Sequence, residues 1–481
     1  MGEVGGAPTL MPTRTRQLVI SLMVACAMFM QNLDSTIIAT ALPTIGRSLG
    51  ENPLRLNVAI TCYLLSLAVF IPISGWTADR FGARRVFSAA IVVFTLGSIA
   101  CGFAQSLWML VVARIVQGMG GAMMVPVGRL VLLRTVPRSE LVRAMSWVSV
   151  PALIGPVIGP PLGGFIVTYW SWRWIFFINI PIGVLGVLLV NLFVENLREG
   201  AARPFDLYGF ILTGVGLASL AFGFEVGGRG ALPWPIALAL LGAGGLCLYA
   251  YVRHARRVDH PIIDLALMRI PTYRVTTIGG FLFRMGLGAL PFLMPLMLQV
   301  GFGLDALSSG LLTFASAAGA LSNKLFVSPI IRTFGFRRVL IVNTVIGSAF
   351  LFGYSFFRPT TPHVVIFLAL LAGGFFRSLQ MTSINTLSYA DVPAAMLSRA
   401  TSLTSMAQQL SQSVGVGTGA LLLYLMLATH GRAVSSAADF SFALAMVAFI
   451  SILSVPFFLK MPADAGAEVS GRAVASKIGD A

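Results

Sequence analysis

Apolar runs of roughly 20 residues recur fourteen times along this chain, separated by short loops in which glycine, proline and arginine are frequent. A bilayer core of about 30 Å takes about 20 residues of helix, and lipid offers no partner to a free backbone N–H or C=O. Each run therefore predicts a membrane-spanning helix, and runs of this length exclude the shorter strands of a membrane barrel. The spans fall near Leu18–Ala39, Leu54–Trp76, Val86–Ala104, Trp108–Leu130, Ala144–Thr168, Trp174–Val194, Leu207–Phe224, Pro233–Val252, Val275–Gln299, Leu307–Ile331, Val339–Phe357, His363–Ser388, Ser402–Leu427 and Phe440–Lys460. The first follows Arg14 and Arg16 but exceeds a signal-peptide core, and no small-residue cleavage site precedes Asp34, so it reads as a retained helix.

Composition agrees with the pattern: 57% apolar and 10% charged residues, with a mean hydropathy of +0.88, exclude a water-soluble globule of 481 residues. The expected fold class is all-α, a polytopic membrane protein with 14 transmembrane helices. Cations alternate between loops, with Arg80, Arg84 and Arg85 after span two, Arg134, Arg138 and Arg143 after span four, and Arg198 and Arg203 after span six. Arg253, Arg256, Arg257, Arg269 and Arg274 follow span eight, and Arg332, Arg337 and Arg338 follow span ten, whereas the intervening loops carry few cations, such as Arg173 and Arg358. By the positive-inside rule both termini are expected to face the cytoplasm. The net charge of +16 is thus a topology signal, and its spread over many loops argues against a nucleic-acid partner.

Cys26, Cys62, Cys101 and Cys247 all lie inside spans with neither zinc nor disulfide spacing, so core packing is their expected role. Trp76, Trp108, Trp170, Trp172, Trp174 and Trp234 sit at span edges as interfacial anchors. No Walker loop, HExxH sequence or His/Cys cluster is found, so the reading is of a non-enzyme with no cofactor and no metal.

The loop Asp79-Arg80-Phe81-Gly82-Ala83-Arg84-Arg85-Val86 has an echo in Arg332-Thr333-Phe334-Gly335-Phe336-Arg337-Arg338-Val339, each after the second helix of a half. Two six-helix pseudo-repeat bundles separated by an inserted helix pair follow from this. The expected divisions are a cytoplasmic tail at 1–17, a bundle at 18–197, the inserted pair at 198–252, a cytoplasmic linker at 253–274, a second bundle at 275–460 and a tail at 461–481. Repeated halves point to alternating access around a central site.

At these residues the chain resembles the major facilitator superfamily, and within it the fourteen-span drug:proton antiporter branch, over nearly its whole length. Gly75-Trp76-Thr77-Ala78-Asp79-Arg80-Phe81-Gly82-Ala83-Arg84-Arg85 is similar to the family's loop motif between spans two and three, departing from it at Thr77 and Ala83. Leu33-Asp34-Ser35-Thr36-Ile37-Ile38-Ala39-Thr40-Ala41-Leu42-Pro43 resembles the first-helix motif, and Arg114-Ile115-Val116-Gln117-Gly118-Met119-Gly120 the fourth-helix motif. The stretch from Gln117 to Arg138 and the tract His260-Pro261-Ile262-Ile263-Asp264-Leu265 are similar to multidrug exporters of the MdtD type. The resemblance implies a proton-coupled exporter of small molecules such as drugs or metabolites, with the substrate, protons and the bilayer as partners. An importer on the same fold and a ligand-binding receptor without transport are the alternatives.

Asp34 is the only acid well inside a predicted span, where a carboxylate is costly unless paired, hydrated or protonated. Burial favours the neutral form of a carboxyl and a nearby cation favours the ionised one, so movement between wet and dry states would load and release a proton. The other reading is a permanent hydrogen-bonded strut. Arg114, Gln117, Gly118 and Gly121 form a polar and small stripe on one helix face. The resemblance implies a proton-coupling couple of Asp34 and Arg114, against the alternative of a fixed ion pair.

In span five, Gly155, Gly159 and Gly163 recur every four residues as a ridge for close helix contact, while Pro156, Pro160 and Pro161 bend the helix. In the family this motif marks antiporters. The resemblance gives Gly75, Asp79, Arg80, Gly82 and Arg84 a conformational latch role, and topology alone is an equal reading for Arg84 and Arg85. The second half holds Arg284, Lys324 and Arg377 within spans but no acid there. Neutral or anionic substrates are therefore expected, with Gln31, Arg284, Arg377 and Gln380 as candidate binding residues. Lys324 is expected to snorkel toward the cytoplasmic interface.

Overall fold

The computed structural model describes residues 13–51, 53–195, 204–229, 234–430, 436–462 and 464–470. Arg198, Arg203 and most of the two terminal tails lie outside them. Fourteen long helical passes cross the molecule in the expected order. The first half contains α1 (Thr13–Leu49), α2 (Pro53–Phe70), α3 (Ala83–Gly102), α4 (Leu107–Thr135), α5 (Leu141–Tyr169) and α6 (Asn179–Phe193). A 3-10 turn at Ile71–Ile73 carries α2 into the short helix Ser74–Phe81, and Trp174–Phe177 leads into α6. Next come α7 (Leu207–Arg229) and α8 (Trp234–Ala255). The second half comprises α9 (Pro271–Gly288), α10 (Ala306–Phe334), α11 (Phe336–Tyr354), α12 (His363–Leu387), α13 (Leu397–His430) and α14 (Ala437–Ile452). Among the described residues 13 passes are long and apolar enough to cross a membrane, and α5, with 29 residues, is the further long helix.

The two halves pack alike. α1 lies on α5, α3 on α4, α2 on α4 and α3 on α6, and in the second half α9 lies on α13, α11 on α12, α10 on α12 and α11 on α14. The repeated loop explains how each copy turns: Gly82 (φ 89°) and Gly335 (φ 76°) both take a backbone conformation that a β-carbon resists, ending one helix and starting the next. Even the neighbouring arginine repeats, since Arg84 reaches Asn191 of α6 and Arg337 reaches the Leu459 carbonyl just beyond α14. α7 and α8 pack on each other, and α7 also touches α2 and α13, bridging the halves from the side.

Some expectations are corrected. Trp172 is buried, stacked under the Arg173 guanidinium and edge-on to Phe176, because its loop folds back into the bundle; it is not an interfacial anchor. Trp108, Trp170 and Trp174 are exposed as an aromatic belt requires, Trp76 is half-buried against Phe205, and the side chain of Trp234 lies outside the described residues. Cys26 is exposed on α1 and so is not core, whereas Cys101 is fully buried.

Candidate functional site

α1, α4 and α6 bring four polar side chains to one buried point in the first half. Asp34 is 1% exposed and Arg114 0%. Arg114 Nη1 donates to Asp34 Oδ2 at 2.5 Å and to Gln117 Oε1 at 2.8 Å, while Gln117 Nε2 donates to Asp34 Oδ1 at 2.8 Å. Asn179 Nδ2 lies 3.4 Å from the same Oδ1 and donates to Ser98 Oγ at 3.0 Å, and Ser98 in turn donates to the Phe176 carbonyl. Every donor to the carboxyl is an N–H group, an arrangement suited to the ionised form, which is acceptor-only.

Arg114 does not depend on Asp34 alone. Its Nε donates to the Ala59 carbonyl at 3.4 Å, and its Cζ sits 4.1 Å from the centroid of the Tyr63 ring. These neutral partners remain available if the carboxyl takes up a proton. Among the described residues the buried Nη2 of Arg114, the Tyr63 hydroxyl and Asn179 Oδ1 have no hydrogen-bond partner.

Helix spacing explains the assembly. Arg114 and Gln117 are three residues apart on one face of α4, and Gly118 on that stripe lets Ser66 and the Tyr63 carbonyl of α2 approach, where a β-carbon would come within 2.6 Å of the Ser66 side chain. On the other flank of α1 the glycine ridge of α5 does what its spacing predicted. Gly155 faces Leu33 and Asn32, Gly159 faces Thr36, and Gly163 faces Thr40 and Ile37. α1 is thus clasped by α5 on one side while Asp34 faces α4 on the other. The side chains of Pro156 and Pro160 lie outside the described residues, and Pro161 is exposed.

The arginines that follow α2 and α4 lie at one end of the bundle, the basic end, where the halves are latched. Ser402 Oγ of α13 accepts from Gly75 N at 2.8 Å and lies 2.5 Å from Ser74 Oγ, and Ser398 Oγ donates to Asp79 Oδ2 at 2.7 Å. A β-carbon at Gly75 would meet the Ser398 carbonyl at 2.8 Å, which is why glycine stands there. Arg134 lies 3.7 Å from Asp79, and Arg80 covers the Trp76 ring at 5.5 Å.

In the second half Arg284 (4% exposed) donates to Asn385 Oδ1 at 2.7 Å. Gln380 spends its amide on α11, accepting from Asn343 and donating to Thr344 and the Leu340 carbonyl; it is a strut between helices. Lys324 does not snorkel: its Nζ donates to buried Thr382 at 2.8 Å, which is within reach because α10 and α12 run side by side. Arg377 is half-buried, and among the described residues the buried Oε1 of Gln31 has no hydrogen-bond partner. Sequence reading passed over Asn179, Tyr63 and Ser98, which lie on separate helices with no shared spacing, and Arg129 of α4. The last was visible as a lone arginine within an apolar run.

The family model of the Major Facilitator Superfamily matches residues 24–416. The chain belongs to this superfamily. Like its superfamily relatives it is a multi-pass membrane transporter of small molecules and not an enzyme. It is 39% identical over 468 residues, 95% of this chain and 97% of the relative, to the protein MdtD of Salmonella heidelberg (strain SL476). MdtD of Salmonella paratyphi A (strain ATCC 9150 / SARB42) is 40% identical over 469 residues with the same coverage, and both carry the provisional name of multidrug resistance protein. The solved structure of the proton:xylose symporter XylE bound to 6-bromo-6-deoxy-D-glucose aligns with a TM-score of 0.67 at 15% identity, over 96% of this chain and 99% of that one. The human organic anion transporter MFSD10 (TETRAN) gives 0.67 at 13% identity, over 93% and 100%. At these identities the likeness is one of fold.

Proposed function

We propose that this transporter exports small molecules in exchange for protons, by alternating access, across the bacterial inner membrane, with its basic end and both termini in the cytoplasm. The observation that carries this reading is the Asp34 carboxyl, buried in a cluster whose cation has neutral partners in reserve. A fixed strut would need only the ion pair. Here Arg114 keeps the Ala59 carbonyl, Gln117 Oε1 and the Tyr63 ring when Asp34 is neutralised, so the same pocket tolerates both protonation states.

In the present state the basic end is latched through Ser402 and Ser398. Rocking the halves about their interface breaks that latch and changes the hydration of Asp34. Proton uptake from one side and release to the other then drives substrate the opposite way. The cations Arg284 and Arg377, with Gln31, favour neutral or anionic substrates; Gln380 is left out because its amide is fully engaged. Expression in a host stripped of its own pumps, screened against dyes, antibiotics and metabolites with wild type and Asp34→Asn side by side, tests the reading. Protection by wild type alone is expected, and equal protection by both removes the proton role of Asp34.

A further inference from the structure

Two arginines from opposite halves are linked near the latched end through side-chain amides, with no acid between them among the described residues. Arg129 of α4 is 6% exposed, yet its partners are both neutral and both belong to the second half: Nη1 donates to the Tyr389 hydroxyl and Nη2 to Gln408 Oε1, each at 3.2 Å. Gln408 Nε2 donates at 2.7 Å to Asn385 Oδ1, the same oxygen that takes Arg284 Nη2 at 2.7 Å. Among the described residues neither guanidinium forms an ion pair. The first-half cluster answers its buried arginine with a carboxylate; this one answers two with amides and a phenol.

Buried cations are ordinarily paired, because neutral acceptors recover only part of the hydration that burial removes. A guanidinium presents a planar fork that matches a carboxylate at about 2.7–2.9 Å, and the 3.2 Å contacts of Arg129 fall short of that. We propose that Arg129 and Arg284 form an anion subsite between the two halves, in which the Tyr389 hydroxyl and the side-chain oxygens of Gln408 and Asn385 hold the place of a carboxylate or similar anionic group of a soluble small molecule. Parting the halves at the basic end withdraws Arg129 from Tyr389 and Gln408 and bares both cations to that side. An anion arriving there engages a guanidinium from each half and is enclosed when the halves close again. That its occupant is the transported substrate rests on the transport reading above; binding itself does not.

The test is therefore a binding measurement without any gradient, on full-length protein purified in maltoside micelles, which carry no phosphate. Benzoate and its neutral isostere benzamide serve as probes, read by the shift of the thermal unfolding midpoint against concentration. Benzoate is expected to stabilise the wild type and benzamide not, with at least a tenfold loss of benzoate affinity in Arg129→Gln and in Arg284→Gln and most affinity kept in Arg129→Lys. Tyr389→Phe removes a competing acceptor and is expected to tighten benzoate binding, whereas a purely structural role for Arg129 predicts no gain. If the glutamine variants fail to fold, the benzoate and benzamide contrast and the Tyr389→Phe shift still decide. Equal effects of the two probes, no tightening in Tyr389→Phe, or displacement of benzoate by phosphatidylglycerol as a tighter occupant would overturn the proposal. A failed Asp34→Asn export test with intact benzoate binding would instead count against the proton reading alone.

Discussion

Adding one methyl group at Gly97 is expected to cost more transport than stability. A β-carbon on this α3 residue would lie 2.6 Å from the backbone nitrogen of Gln117, 2.7 Å from its Cα and 2.8 Å from its Cβ, where ordinary contact begins at 3.4 Å. No side-chain rotation relieves a clash with backbone, so in Gly97→Ala the two helices must part by about 0.8 Å at that point. Overpacking of this kind costs about 1–3 kcal/mol, and alanine returns about 1 kcal/mol of helix propensity over glycine, leaving a folded protein. The same displacement acts on the Gln117 amide, whose 2.8 Å bond to Asp34 is carried to the outer limit of a hydrogen bond. A bond to a charged group contributes about 1.5–3 kcal/mol, which is roughly a 10- to 100-fold loss if it stabilises the ionised carboxyl in the slow step. Flux in proteoliposomes under an imposed pH gradient, with the unfolding midpoint measured in parallel, reads both effects. Gly164→Ala, where nothing lies within 4 Å, is the control and should leave flux intact. Gly97→Ala with wild-type flux and unaltered pH dependence would refute the link between the α3 and α4 contact and Asp34.

Other substitutions separate the remaining roles. Asp34→Ala leaves the fully buried Arg114 without its carboxylate and should lower stability by about 3–5 kcal/mol, with Asp34→Asn milder because the amide keeps an acceptor; calorimetry of the purified variants checks the order. Ser402→Ala removes the acceptor of Gly75 N and the partner of Ser74, a change of about 1–3 kcal/mol, and should shift the population toward opening at the basic end. Spin labels at the exposed positions Phe81 and Phe334, in a cysteine-free background, should then show a longer distance, and an unchanged distribution would deny the latch. Gln380→Leu takes one partner each from Asn343 and Thr344, leaving them the Phe376 and Leu340 carbonyls, and should lower the unfolding midpoint without altering which substrates are moved; a changed substrate spectrum would return Gln380 to the binding path.

Much of this arrangement was legible because membrane physics writes it in one dimension. Apolar run length sets the helices, Gly82 and Gly335 mark the repeat through the backbone turn each must make, and the spacing of Gly155, Gly159 and Gly163 forecasts the surface that meets α1. Arg114 and Gln117 could be placed on one face because three residues span most of a turn. What escaped was set by contacts between distant segments. Asn179 joins Asp34, and Tyr63 joins Arg114, from helices whose own sequences carry no periodic signal for it, and Ser98 is joined through Asn179. Lys324 and Gln380 looked alike as polar residues within spans, and only the neighbouring helix decides that one reaches Thr382 and the other α11. Trp172 was misplaced for the same reason, its loop turning inward where its position in the chain suggested the interface.

The central claim is that Asp34 changes protonation state as the halves rock. Infrared difference spectroscopy of the carboxyl stretch, assigned by its loss in Asp34→Asn, compares protein latched at the basic end with protein biased open there by Ser402→Ala. The account predicts no protonated Asp34 band in the latched state, where the carboxyl takes only N–H donors, and a protonated band in the opened one. A carboxylate that stays ionised in both states across the working pH range would contradict it.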